Sequence, residues 1–264
     1  MPKTSCYPTN LTDEQWNLIS DLVPKYPGIG RRLKHPRREV VNAILYIVRA
    51  GCAWELLPKD FPPYKTVYDY YNKWRKQDLW SKIHDRLRKK VRVQEGRATA
   101  PTAAILDSQT VKCAAVRGSR GCDAGKLIVG RKRHVLVDSL GMILAVLVTP
   151  ASVQDRDGAV EVLSVLAHTF PQIRLIWADS AYAGKLTQWV SGLRQRMRIA
   201  LEIVRRSDQQ RGFQAQRKRW IVERTFGWLT RYRRLRCDYE EHTESSTAMI
   251  HIAMISLMLK RLKS

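Results

Sequence analysis

The sequence predicts a mixed α/β domain, a sheet with helices packed on its faces, preceded by a smaller all-helical domain. Three observations carry this expectation. Hydrophobic periodicity is helical as far as Val93 and changes to short β-rich runs after Pro101. The intervening Gln94-Glu95-Gly96-Arg97-Ala98-Thr99-Ala100-Pro101 is small, polar and unpatterned, which places a boundary between residues 1–97 and 98–264. Beyond it, His134 to Asp138 and Met142 to Thr149 are β-rich and separated by Ser139-Leu140-Gly141, the signature of a hairpin, after which helix-like and strand-like segments alternate. The resulting order, β, ββ, α, β, α, β, α, implies a mixed sheet.

In the first part, Thr12 and Gln15 form a capping box for a short helix whose apolar face is Trp16, Ile19, Leu22 and Val23 and which stops at Pro24. Gly28 to Arg38 is a basic loop punctuated by Gly and Pro. Its Arg31 and Arg32 suit phosphates or a minor groove, and a solvated linker is an equal reading. Glu39 to Ala50 is helical and strongly apolar, with Gly51 as its stop. After the turn Asp60-Phe61-Pro62-Pro63, a helix from Thr66 turns Val67, Tyr70, Tyr71 and Trp74 inward and Lys65, Lys73, Arg75 and Lys76 outward. A fourth follows Asp78, with Trp80, Ile83, Leu87 and Val91 inside and Arg86, Arg88, Lys89, Lys90 and Arg92 largely outside. Short helices with basic outer faces suggest a helix-turn-helix-like contact with DNA, with Lys73 and Arg75 as candidates; a structural helical cap is the alternative.

In the second part, Thr102 to Asp107 is a strand ending in an acid and Asp155 to His168 a helix. Arg174 to Asp179 is another strand ending in an acid, Lys185 to Leu193 another helix, and Arg198 to Val204 a further strand. A helix from Lys218 carries Ile221, Thr225, Trp228, Leu229 and Tyr232 on one stripe and Arg219, Glu223 and Thr230 on the other side. The apolar run Ala248 to Leu259 is interrupted by His251 and Ser256 and is too short to span a bilayer, so no membrane partner is expected.

The totals narrow the partner. A chain of 264 residues with 44% hydrophobic content builds a real core, and 47 Lys/Arg against 24 Asp/Glu leave a net charge of +23. That balance favours a polyanion, since each neutralised phosphate releases condensed counterions. It leaves the type of nucleic acid open. Cys6, Cys52, Cys113, Cys122 and Cys237 are scattered and lack ligand spacing, which argues against a disulfide frame or a zinc site and fits a reducing cytoplasm. No apolar signal core stands at the amino terminus.

The chemistry concentrates in three acids. Ala104-Ile105-Leu106-Asp107-Ser108 and Leu175-Ile176-Trp177-Ala178-Asp179-Ser180 each end a mostly apolar strand in Asp-Ser. An ionised carboxylate at the end of a buried strand is costly unless paired or metal-bound, and strand ends are where α/β sheets place ligands. Taken singly, each Asp also reads as a turn or cap residue. Glu223 stands with Asp208 against eleven Lys/Arg between Arg205 and Arg236, and it pairs equally well with Arg219 one turn earlier. Together the three acids would make an oxygen-only donor set suited to Mg²⁺. Two such ions about 3.5–4 Å apart would serve an in-line phosphoryl displacement.

Five blocks then carry a resemblance: Leu106-Asp107-Ser108-Gln109-Thr110-Val111-Lys112; Gly130 to Asp138; Pro150 to Ala159; Asp179-Ser180-Ala181-Tyr182-Ala183-Gly184; and Trp220 to Leu229. They resemble the DDE transposases of bacterial insertion sequences, in the insertion-sequence-five group. Leu11 to Trp16 and Gly51 to Pro58 resemble that group's leading domain, so almost the whole chain is covered in order. The resemblance implies a ribonuclease-H-like catalytic domain and two Mg²⁺ ions, with Mn²⁺ as a substitute, on Asp107, Asp179 and Glu223. It also implies cleavage of double-stranded DNA at terminal inverted repeats, transfer of the 3′ hydroxyl to target DNA, a homodimer on DNA, and a cytoplasmic, nucleoid-associated bacterial protein.

Related transposases often place a Tyr seven residues before the Glu, an Arg four before and a Lys seven after. Arg219 matches; Gln216 and Thr230 depart, with Arg231 beside the latter. Arg219 and Arg231 are therefore candidate DNA contacts, as are Lys112 and Lys132 in the family-like blocks, with Gln109 in a looser role. His134, alternating with apolar neighbours, reads as structural, and Asp123, Asp138, Asp155 and Asp157 as turn or helix-start residues. A catalytically silent, transposase-derived DNA-binding protein and a ribonuclease-H-like nuclease are the alternatives.

Overall fold

The computed structural model describes residues 7–24, 34–114, 117–197, 199–204 and 218–262. The candidates Arg31 and Arg32, and Gln216, lie outside these residues.

Helix α1 (Asp13–Asn17) starts under the expected capping box: the Gln15 N–H donates to the Thr12 hydroxyl, and the Thr12 N–H to the Gln15 side chain, each at 3.2 Å. It stops earlier than expected. Ile19 and Leu22 donate to carbonyls three residues back, and Ile19 and Val23 reach the core from turns. Arg38 pairs with Asp13, fixing this segment to the start of α2 (Arg37–Ala50). Gly51 ends α2 at φ +73°, and a Cβ there would stand 2.7 Å from the Arg233 side chain, so both the left-handed turn and the close approach require glycine. Helices α3 (Tyr64–Lys76) and α4 (Leu79–Gln94) follow.

The inward residues of α3 and α4 are as expected, with Val67, Tyr71, Trp74, Trp80, Ile83, Leu87 and Val91 all buried. Two of the cations are not. Arg88 and Arg92 are 1% and 4% exposed. Arg92 Nη1 meets Asp138 at 2.6 Å, while Arg88 pairs with Asp85 and lies 4.9 Å from the centroid of the Phe170 ring. One face of α4 is therefore turned toward the sheet domain.

Among the described residues the sheet holds six strands: β1 (Ala103–Lys112), β2 (Gly121–Asp123), β3 (Ile128–Asp138), β4 (Ile143–Pro150), β5 (Leu175–Ala178) and β6 (Ala200–Ile203). β3 pairs antiparallel with β1 on one edge and with β4 and β2 on the other, and β5 and β6 continue beyond β1 in parallel. The mixed sheet and the hairpin at 139–141 are as expected. β1 and β3 are longer than expected because their carboxyl-terminal and amino-terminal halves are polar, so alternation of apolar residues does not mark them.

Strand parity divides the sheet into two packed faces. Ile105, Val135, Val137 and Ile143 face α7 (Arg219–Thr230), α8 (Thr243–Arg261) and the amino-terminal helices. Ala104, Leu106 and Leu136 face α5 (Asp155–Thr169) and α6 (Lys185–Met197). α8 packs against α4, α2 and β4, so the first core runs without a break from Val40 and Tyr71 to Met254 and Ile255. The helices of residues 37–94 are thus built into a core shared with α7, α8 and one face of the sheet. Among the described residues no helix is long and apolar enough to cross a membrane.

Candidate active site

β1 changes character at Asp107. Ala104 to Leu106 are buried, whereas Asp107 to Thr110 are half-buried on both faces. Asp107 shares the parity of Ile105 and looks toward α7; Ser108 shares that of Leu106 and looks toward α5. In the parallel ladder Ala103 lies beside Leu175 and Ile105 beside Trp177, and the same register carried forward brings Asp107 beside Asp179. The two Asp-Ser pairs are therefore neighbours on adjacent parallel strands, Asp179 just past the end of β5 and Asp107, contrary to the strand end expected there, midway along β1.

Asp179 uses one oxygen as a turn residue, accepting from the Ala181 N–H at 2.9 Å, and its Oδ2 lies 3.5 Å from Arg219 Nη2. Glu223 Oε1 lies 3.7 Å from the same nitrogen. Arg219 thus sits between two of the three acids, and the pairing with Glu223 is present rather than replaced by a role toward DNA alone. Asp107 completes the group. Burial pushes its carboxyl up to about 6, helped by the nearby carboxylates of Asp179 and Glu223 and opposed by the Ser108 N–H and Arg219. That N–H donates to Asp107 Oδ1 at 2.7 Å.

The donor chemistry suits a hard divalent cation: three carboxylates, no thiol and no imidazole, with a desolvated Asp107 whose charge is incompletely balanced. As the side chains stand, no three acidic, His or Cys groups among the described residues are close enough to hold one ion. Arg219 supplies the positive charge instead.

The candidate DNA contacts divide. Arg231 ends α7 and Lys112 ends β1, both exposed. Lys73 is exposed and Arg75 half-buried on α3, which packs on α2 and α4, whereas the acids are carried by β1, β5 and α7. Lys132 requires a correction. It is 5% exposed, and its Nζ lies 2.9 Å from Asp155 and 3.7 Å from Asp123, so it is a buried ion-pair partner with no surface to offer DNA. Half-buried Gln109 sits near Arg133 within the sheet. Thr230, in place of the Lys, bonds the Gly227 carbonyl at 2.9 Å.

His134 is structural, as expected: it is fully buried, Nε2 lies 3.0 Å from the Thr149 hydroxyl, and a Cβ on Gly158 would come within 2.3 Å of its ring. Asp138 closes its turn by accepting from the Leu140 and Met142 N–H groups, each at 2.9 Å. Asp155 opens α5 and also accepts from the Ser108 hydroxyl at 2.8 Å. Sequence reasoning missed this cluster. Its signal was the alternation of Ser108 with Thr110 opposite Lys132 and His134, polar residues of one parity on paired strands. Also missed was Trp220, 45% exposed on α7 with the Arg224 guanidinium 4.6 Å from its ring centroid.

Residues 98–259 match the family described as "Transposase DDE domain", and residues 11–84 match "Putative transposase of IS4/5 family". A Burkholderia cepacia protein described as "Putative transposase for insertion sequence element IS402" is 30% identical over 135 residues, 48% of this chain and 60% of that protein. A second from the same organism, the "Insertion element IS402 uncharacterized 16.2 kDa protein", is 28% identical over 93 residues, 32% of this chain and 62% of that one. The chain spans about three fifths of the length of these relatives.

Proposed function

We propose, from the DDE transposase family to which this chain belongs, that it cuts DNA at the terminal inverted repeats of an insertion sequence and joins the freed 3′ hydroxyl to target DNA. The observation that carries the reading is that Asp179 and Glu223 flank the Arg219 guanidinium while Asp107, on the neighbouring strand β1, lies near enough to both carboxylates for its own carboxyl to be pushed up. The strand order, an antiparallel β4-β3-β1 followed by parallel β5 and β6, supports a ribonuclease-H-like catalytic domain over residues 98–264.

Mg²⁺, or Mn²⁺ in its place, bound at the three carboxylates supplies activation of the attacking oxygen and stabilisation of the leaving one. The chain's own residues set the geometry. Asp107 is fixed within β1 and Asp179 by the turn after β5, while Glu223 is fixed by a helix whose buried stripe, Val222, Thr225, Phe226 and Leu229, seats it on the sheet. Arg219, beside two of the acids, is placed to take a phosphate of the DNA end. In the first displacement a water oxygen bonds to phosphorus and the 3′ oxygen leaves with a proton. In the second, that 3′ oxygen bonds to a target phosphorus and the target's own 3′ oxygen leaves.

Residues 1–97 would supply DNA recognition through Lys73, Arg75, Arg31 and Arg32, with Lys112 and Arg231 extending the track. Two copies would pair the two ends, which sizing of the protein on end DNA tests. The catalytic assignment is tested by cleavage of inverted-repeat DNA. Asp107→Ala, Asp179→Ala and Glu223→Gln are each expected to abolish nicking, and retained nicking in any one of them overturns it. Binding of the repeats with no cation-dependent nicking by the unaltered chain would identify a silent binder instead; nicking without joining to target would identify a nuclease.

A further inference from the structure

On the opposite side of β1 from Glu223, a second polar group ends on the same catalytic residue. Lys132 on β3 is buried and its Nζ lies 2.9 Å from Asp155 Oδ1 at the start of α5. The same carboxylate oxygen accepts from the Ser108 hydroxyl at 2.8 Å. Ser108 in turn donates its backbone N–H to Asp107 Oδ1 at 2.7 Å. A buried ammonium is costly unless its partner is well placed, and here the partner also holds Ser108. Lys132 is held from its other side by Asp123, 3.7 Å away, which accepts from the Thr110 hydroxyl at 2.5 Å.

We propose that Lys132, Asp155 and Ser108 form a positioning relay that fixes Asp107, engaging its Oδ1 and leaving Oδ2 to face the reacting centre. The proposal rests on the assignment of Asp107 as a cation ligand. Groups that orient a ligand from behind are typically worth about 10–100-fold in metal affinity or activity. The ammonium and the Asp155 oxygen are engaged with each other and, through that oxygen, with Ser108, so the relay requires no contact with DNA.

The test is Mn²⁺ titration of the full chain without DNA, followed by the paramagnetic resonance of free Mn²⁺, together with binding of end DNA in EDTA. Ser108→Ala and Asp155→Asn are expected to weaken Mn²⁺ binding about tenfold with DNA affinity unchanged. Ser108→Thr, which keeps the hydroxyl, is expected to restore it. Because Asp155→Asn leaves the Lys132 ammonium short of a partner and can unfold the chain, the double variant Lys132→Met/Asp155→Leu removes both charges. It is expected to recover thermal stability but not Mn²⁺ affinity. Unchanged Mn²⁺ affinity in Ser108→Ala, with binding in the parent chain abolished by Asp107→Ala, overturns the relay alone. Mn²⁺ binding that survives Asp107→Ala overturns the ligand assignment and the relay together. Weakened DNA binding in Lys132→Met with Mn²⁺ affinity intact makes Lys132 a phosphate contact and also overturns it.

Discussion

Under the proposed function Arg219 has two roles that compete. Its guanidinium stands between Asp179 and Glu223, where it offsets charge that would otherwise repel, and it would also take a phosphate of the DNA end. Because both pairs are long and partly exposed, each contributes little, on the order of 0.2–1 kcal/mol. Arg219→Ala is therefore expected to tighten Mn²⁺ binding in the absence of DNA by about two- to thirtyfold, the two pairs together expressed as an equilibrium, while weakening binding of end DNA. Calorimetric titration of the two ligands separately checks this. Weaker Mn²⁺ binding in the variant would show that Arg219 holds the acids in place and does not compete for them.

Among the elements, α4 and the hairpin turn after β3 are joined by Arg92 and Asp138, both almost wholly buried and 2.6 Å apart. Asp138 also accepts the two N–H groups that shape the turn. Arg92→Leu leaves that carboxylate buried and is expected to cost about 3–5 kcal/mol in urea unfolding. Arg86→Leu, on the exposed side of the same helix, is expected to cost under about 1 kcal/mol. The contrast explains what the sequence made legible. Apolar spacing located α2, α3, α4 and α7 and the facing of Val67, Trp74, Ile83 and Leu87, because burial of hydrocarbon leaves a periodic trace. Arg88 and Arg92 lie on the buried side of α4 against Phe170 and Asp138, both distant in sequence, and no local pattern distinguishes such an arginine from a solvated one. The same limit applied to the site. Asp107 and Asp179 stood out through repeated strand endings, whereas Lys132 resembled a free cation until Asp155 was seen beside it.

The whole molecule is held by a core crossing from the amino-terminal helices to α8, and at that crossing the His84 and His251 rings lie tilted against each other with centroids 5.0 Å apart. Burial drives both below the ordinary imidazole range, His251 down to about 4 against the pull of Asp78, and His84 lowered further by His251 and Arg88. The unfolded chain therefore binds more protons than the fold between about pH 6.5 and 4, so the stability tied to neutral imidazoles is complete above about 6.5 and is lost as pH falls toward 4. Urea midpoints taken from pH 7 to pH 5 are expected to fall. His251→Phe should flatten that slope, and an unchanged slope would place the titration elsewhere.

That crossing also orders events in time. Residues 37–94 leave the ribosome early, yet the apolar side of α4 is covered by α8, residues 243–261, which emerges only after the entire sheet domain has been made. During synthesis the leading helices leave that apolar surface uncovered until α8 docks. An interval in which the surface is open to chaperones is the expected consequence of where α8 stands in the chain.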